Sequence, residues 1–161
     1  MKPKSIFFII TLLYFTIGLV YYSHADDKSC LTEAIYFEAR SESFIAQLAV
    51  ANVILERTKN DRYPDTICEV VHEGKYFKEH PVRHQCQFSY WCDGKPESIA
   101  NTEAYKTALS VAELAMHGVL VEHTLGATHY HATYVTPKWS FNNNFTELGQ
   151  VGRHIFYVDN N

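Results

Sequence analysis

Apolar and polar positions along the chain fall into four regimes. Ser5–Tyr22 is an unbroken run without a charged residue. From Leu31 to Thr58, apolar residues recur at intervals of three and four, the signature of helices with one inward face. Leu31–Ala39 reads as a first helix, with Leu31, Ala34, Ile35, Glu38 and Glu42 along one stripe. Ser43 is placed to cap a second helix, Phe44 to about Thr58, with Ile45, Leu48, Ala49, Val53 and Leu55 inward. Asn60–Pro64 is a loop, and Asp65–His72 a short helix capped by Asp65 or Thr66. Residues 74–96 carry neither period and are expected to be irregular; a loop of that length inside a domain is usually functional. Glu97–His117 is the clearest helix, with Gly118 at its C′ position. The period then shortens, and Val119–Val121, Thr128–Val135 and His154–Val158 read as strands. Helices first and strands last predict an α+β fold: a helical lobe, a small antiparallel sheet, and a groove between them.

Within the first stripe Glu38 is out of place. A carboxylate among apolar residues is costly to ionise, so its pKa rises, and a carboxyl group protonated near neutrality is what a general acid needs. The alternative is that Glu38 borders the stripe and pairs with Arg40 or Arg57.

The ends and the composition limit the classes of function. Lys2 and Lys4 before the apolar run, and Ser23-His24-Ala25 after it, read as a secretory signal over residues 1–25, cleaved before Asp26. The run is also long enough to span a bilayer, so a retained signal-anchor over residues 5–22 is the alternative. Removing residues 1–25 from 161 leaves 136, a single domain. Net charge moves from −4 to −6 as Lys2 and Lys4 leave. No basic cluster with interleaved aromatics exists, which argues against nucleic acid as a partner. The expected location is the periplasm or cell envelope, and the expected state a monomer. Four cysteines in an exported domain predict two disulfides, and of three pairings Cys86–Cys92 with Cys30–Cys68 is favoured.

Several blocks occur in a telling order: Glu33-Ala34-Ile35-Tyr36-Phe37-Glu38-Ala39-Arg40, then Gln47-Leu48-Ala49-Val50-Ala51 and Asn52-Val53-Ile54-Leu55 with Arg57. Tyr63–Cys68, Cys86-Gln87-Phe88-Ser89-Tyr90-Trp91-Cys92-Asp93-Gly94 and Gly126-Ala127-Thr128-His129-Tyr130-His131-Ala132 follow. From about Cys30 to Tyr157 this string resembles the SleB-type cell-wall hydrolases. The resemblance implies a lysozyme-like arrangement and cleavage of peptidoglycan glycan strands. It also implies that the glutamate of the "EAR" block, Glu38, is the catalytic acid.

One protonated carboxyl suffices for a lytic transglycosylase, in which the sugar's own 6-hydroxyl traps the oxocarbenium-like centre. A muramidase-type hydrolase needs a second carboxylate; Glu42 is the first candidate, with Asp93 and Glu33 behind it. Sugar faces stack on aromatics, and Phe88, Tyr90, Trp91, Tyr130, Tyr134 and Trp139 are available, with Tyr130, Trp91 and Trp139 favoured. Gln87, Phe88 and Ser89 are candidates for bonding N-acetyl groups. His129 and His131 are expected to bond substrate or hold Glu38. No metal and no cofactor are expected. The rival reading is an exported zinc peptidase or amidase built on His129-x-His131 or on His80, His84 and Cys86. It lacks a third ligand at a recognisable spacing and loses any oxidised cysteine. A non-catalytic glycan-binding module is a further rival, one with no need of a carboxyl in an apolar stripe.

Overall fold

The computed structural model describes residues 26–161, so the expected signal or anchor lies outside the described residues. The first helix, α1, runs over residues 26–39, longer at its start than the stripe alone predicts. Its Leu31, Ala34, Ile35 and Tyr36 are buried. The second, α2 (Phe44–Arg57), begins where expected, with the Ser43 hydroxyl accepting from the Ala46 N–H. It is buried on nearly every side, as a helix hydrophobic all round must be. Leu48, Ala51 and Ile54 face α1 and α4, whereas Ala49 and Val53 face Ala127 and Phe156 of the sheet lobe. Full burial of a side chain such as Ile54 stabilises by about 1.5–3 kcal/mol, so this one helix anchors both lobes. Ile45 departs from expectation: it is 53 % exposed, because the first turn of α2 turns Ala46 and Gln47 inward and leaves Ile45 on the outer side.

The short α3 (Ile67–Val71) is capped by the Thr66 hydroxyl, which accepts from the Glu69 N–H. The fourth helix, α4 (Thr102–Met116), starts five residues later than predicted. The Asn101 side chain accepts from the Ala104 N–H there, fixing the cap, while residues 96–100 stay irregular and exposed. At its other end Gly118 adopts φ +84, and Gly118 and Val119 donate to the carbonyls of Ala115 and Leu114. That is the left-handed helix stop for which glycine is suited.

Residues 74–96 are more ordered than their pattern suggested. Strands β1 (Gly74–Phe77) and β2 (His80–Cys86) form an antiparallel hairpin, followed by a 3-10 turn over Ser89–Cys92. The hairpin escaped the sequence because it is largely exposed on both faces, so no alternation is demanded of it. The predicted strand Val119–Val121 is instead an extended link clamped by a buried side chain. Asn52 donates to the Val119 carbonyl and accepts from the Val121 N–H, doing a strand's work with one amide.

A second sheet follows, in the order β3–β5–β4, wholly antiparallel. Its strands are β3 (His129–Ala132), β4 (Phe145–Val151) and β5 (His154–Asp159). Strand β4 was not anticipated: a register shift between Glu147 and Gly149, with Gly149 at φ +137, breaks its alternation. The turn from β4 to β5 presses onto the helical lobe. A Cβ on Gly152 would meet the Ala46 Cβ at 2.6 Å and Glu42 Oε2 at 2.8 Å. Only glycine allows that approach, which sets the groove between the lobes.

Both predicted disulfides are present. Cys30–Cys68 ties α1 to α3, and Cys86–Cys92 fastens the end of β2 to the 3-10 turn.

Candidate active site

Glu38 lies on the last turn of α1, where the helix reaches the junction of the lobes. Two depressions meet at it. One, of about 320 Å³, is walled by Phe37, Arg40, Ser89, Tyr90, Asp93, Lys95, Pro96 and Glu97. The other, of about 180 Å³, lies toward the sheet and is walled by Ser41, Glu42, Ala132, Tyr134, Arg153 and His154. Glu38 is the one residue common to both. Burial raises its pKa above the ordinary carboxyl value, and the Tyr130 hydroxyl, donating to Oε2 at 3.4 Å, partly opposes that rise. Neither predicted arginine neutralises it. Arg57 is buried and donates to the Thr128 carbonyl at 2.8 Å, and Arg40 lies over the ring of Tyr36. The site therefore holds a carboxyl biased toward its protonated form, with one phenol positioned to steady it once ionised.

The other candidate carboxylates are engaged, with one exception. Glu42 accepts from the Arg153 Nε at 2.6 Å and from the Arg153 backbone N–H at 3.3 Å. It pairs across the lobes, which commits the first candidate for a second carboxylate to an ion pair. Asp93 accepts from the Lys95 N–H at 2.7 Å, and that bond is the main reason its pKa is lowered. It serves as a turn residue in the Cys-Asp-Gly segment. Glu33 has a raised pKa from burial, with the charge of Glu97 adding to it. Glu97, which no sequence signal marked, lines the larger depression without a cation in ion-pair range among the described residues.

The candidates on β3 divide between the two faces of the second sheet, whereas Phe88, Tyr90 and Trp91 belong to the 3-10 turn and the residue before it. Tyr130 faces inward, edge-on to His154 and against Glu38. His129 and His131 share the opposite face, as strand period requires, and pack there with Trp139, Phe145 and Tyr157. Neither touches Glu38: His129 Nδ1 lies 3.0 Å from the Thr128 hydroxyl and His131 Nε2 3.1 Å from that of Tyr157. Desolvation lowers the His129 pKa to about 4. Trp139 belongs to this outer cluster, away from the groove. Trp91 stacks on His72 at 3.6 Å and donates to the Tyr76 hydroxyl. Phe88, 2 % exposed, is core, drawn in by its apolar ring, with the Arg57 guanidinium 5.5 Å above it. Of the Gln87-Phe88-Ser89 block only Ser89 lines a depression; Gln87 is exposed.

No group of three or more His, Cys, Asp or Glu side chains converges to a metal-holding arrangement among the described residues. Cys86 is in a disulfide.

Comparison with known proteins fits this architecture. The profile of the Cell Wall Hydrolase family matches residues 41–157. The chain belongs to the cell wall hydrolase family. The match begins after Glu38, so the position of that residue at the groove is an independent observation. Among curated relatives of this hydrolase are two spore cortex-lytic enzymes. The one from Halalkalibacterium halodurans is 27 % identical over 134 residues, covering 81 % of this chain and 34 % of the relative. The one from Bacillus cereus is 28 % identical over 132 residues, covering 81 % and 44 %. The chain thus spans less than half the length of these relatives. The catalytic domain of the Bacillus cereus SleB protein superposes with TM-score 0.59 at 26 % identity, covering 83 % of this chain and 90 % of that one. The catalytic domain of the germination-specific lytic transglycosylase SleB from Bacillus anthracis gives 0.55 at 26 %, covering 81 % and 93 %. The lysozyme-like α+β fold implied by the sequence is the fold of this hydrolase.

Tyr90 is a groove residue that the sequence named without favouring. Its ring stacks on Phe37 at 4.7 Å, yet its buried hydroxyl has no hydrogen-bond partner among the described residues. Burial and the charges of Glu33, Glu38 and Glu97 push its pKa up, so it remains a protonated phenol. An unpaired buried hydroxyl costs about 1–3 kcal/mol. Tyr90→Phe keeps the stack and removes the orphan. The variant is expected to melt at the same temperature or higher, with a gain of about 1 kcal/mol in urea unfolding. A clear loss of stability would show that the hydroxyl has a protein partner.

Proposed function

We propose that this hydrolase cleaves the β-1,4 bond between N-acetylmuramic acid and N-acetylglucosamine, acting as a lytic transglycosylase. Glu38 serves first as acid and then as base. It gives its proton to the glycosidic oxygen as the bond from C1 breaks. The developing positive charge at C1 is met by the 6-hydroxyl oxygen of the same sugar, and that hydroxyl's proton returns to Glu38. A 1,6-anhydro ring forms and no water is consumed. The carrying observation is the placement of one half-buried carboxyl, biased toward its protonated form, at the meeting point of two depressions. Tyr130 would stabilise the carboxylate between the two proton transfers. The Bacillus anthracis neighbour, a germination-specific lytic transglycosylase, supports the same reading. Glycan strands of the cell envelope are the proposed partner, reached by export through residues 1–25, cleaved or retained as an anchor.

Hydrolysis is the second reading. Glu97 favours it, because it shares the larger depression with Glu38 and has no paired cation among the described residues. Mass spectrometry of purified peptidoglycan digested with the full chain separates the two. Anhydromuropeptides that persist in EDTA are expected. Reducing-end muropeptides would replace transglycosylation by hydrolysis and make Glu97→Gln the next variant. Products abolished by EDTA would move the chemistry to a metal.

A further inference from the structure

Arg40 ends the Glu38-Ala39-Arg40 block, one residue past the helical part of α1. Its exposed side chain walls the larger depression beside Glu38. The guanidinium carbon lies 5.0 Å from the ring centre of Tyr36 and 5.9 Å from that of Phe37. Both rings are fixed: Tyr36 is 2 % exposed, and Phe37 is stacked on Tyr90. A cation held over aromatic rings has already given up much of its rotamer freedom, so it loses less on binding a ligand.

That guanidinium has no carboxylate within ion-pair distance among the described residues, although Glu38, Asp93 and Glu97 line the same depression. The other cations of the groove are occupied. Lys95 lies 3.5 Å from Asp93, and Arg153 lies 2.6 Å from Glu42. A cation near a helix C-terminus also favours the helix dipole. That role would affect stability alone and would not require a place on the groove wall.

We propose that Arg40 is an anion subsite of the groove, binding a carboxylate carried on the muramic acid side of the glycan. This rests on the reading of the chain as a glycan-cleaving enzyme. Two sources offer that chemistry: the lactyl carboxylate of muramic acid without a peptide, and the carboxylates of an attached peptide. The planar fork of arginine suits either one through paired hydrogen bonds. The carboxylates on the remaining walls repel an anion placed elsewhere, which fixes the direction in which a strand lies.

The test pairs a change in the enzyme with a change in the substrate. The full chain, Arg40→Gln and Arg40→Lys are assayed for kcat and KM on three preparations of the same strands. The first carries peptides, the second has been stripped by an amidase to free lactyl carboxylates, and the third carries peptides whose carboxylates are capped as methylamides. Wild type is expected to show a KM about tenfold lower on the strands bearing the recognised carboxylate than on capped strands. A preference for stripped strands assigns the lactyl group, and one for peptide-bearing strands assigns the peptide. Arg40→Gln should erase the difference by raising KM on the preferred strands alone, with Arg40→Lys intermediate. Cleavage by wild type without discrimination overturns the inference and leaves the activity standing. So does an Arg40→Gln variant that still discriminates, or that loses kcat equally on all three. Failure of wild type to cut any preparation overturns the proposed activity itself.

Discussion

Glu38→Gln is expected to lower the rate of glycan cleavage by about 10³-fold or more, since proton transfer by one positioned group contributes roughly 10²–10⁴ and Glu38 is asked to act twice. Glutamine keeps the shape and can still accept from Tyr130, but it can neither give nor take the proton. The measurement is the release of muropeptides by variant and wild type under identical conditions. Unchanged product formation would remove Glu38 from the mechanism. A non-catalytic glycan-binding module would retain its affinity for strands in the variant and show no cleavage in wild type.

The same variant makes a pH prediction whose sign follows from burial. The folded state raises the Glu38 pKa, so it binds that proton more tightly than the unfolded chain does. Wild-type stability is therefore favoured below the unfolded pKa, and declines as pH rises toward and through the folded one. Glutamine does not titrate. Glu38→Gln should match or trail wild type in acid and surpass it near neutrality, which urea midpoints at a series of pH values would show. The activity of wild type should fall over the same rising window, as the acid form is lost.

The second large effect concerns Cys30–Cys68, which spans 38 residues of sequence separation. Closing a loop of that size restricts the unfolded chain and is worth about 3–4 kcal/mol. The paired change Cys30→Ser and Cys68→Ser should lower the urea midpoint by a corresponding amount. Dithiothreitol should lower the wild type by at least that amount, and should move the double variant only by the contribution of the short Cys86–Cys92 loop, which it retains. A double variant as stable as wild type would show that packing of Leu31, Ile35, Ile67 and Val70 holds α1 to α3 unaided.

The parts of this hydrolase that could be read from the sequence are the helices whose buried residues recur at helical period. The stripes of α1, α2 and α4 were legible, and the odd place of Glu38 in its stripe could be seen, because a carboxylate among apolar residues breaks the pattern. The hairpin of β1 and β2 was not, since an exposed ribbon leaves no alternation to detect. Strand β4 was hidden by its irregular step at Glu147–Gly149. Period correctly set His129 and His131 opposite Tyr130, but period does not say which face meets the groove. Here the inward face is fixed by Ala49 and Val53 of α2 beneath Phe156. Arg40, Tyr90 and Glu97 gather only when α1, the 3-10 turn and the segment before α4 converge, and no local pattern anticipates that meeting.

The order of the second sheet has a consequence for synthesis of the protein. Strand β5 is the last of the described strands to leave the ribosome, yet it lies between β3 and β4. Until it arrives, β3 has no strand to pair with and Tyr130 has no frame to hold it against Glu38. A nascent chain would carry every earlier element of the helical lobe and still lack a formed cleft. The topology thus makes the placement of Tyr130 against Glu38 wait for β5, the last of the described strands, so the groove closes only after every other described element has been made.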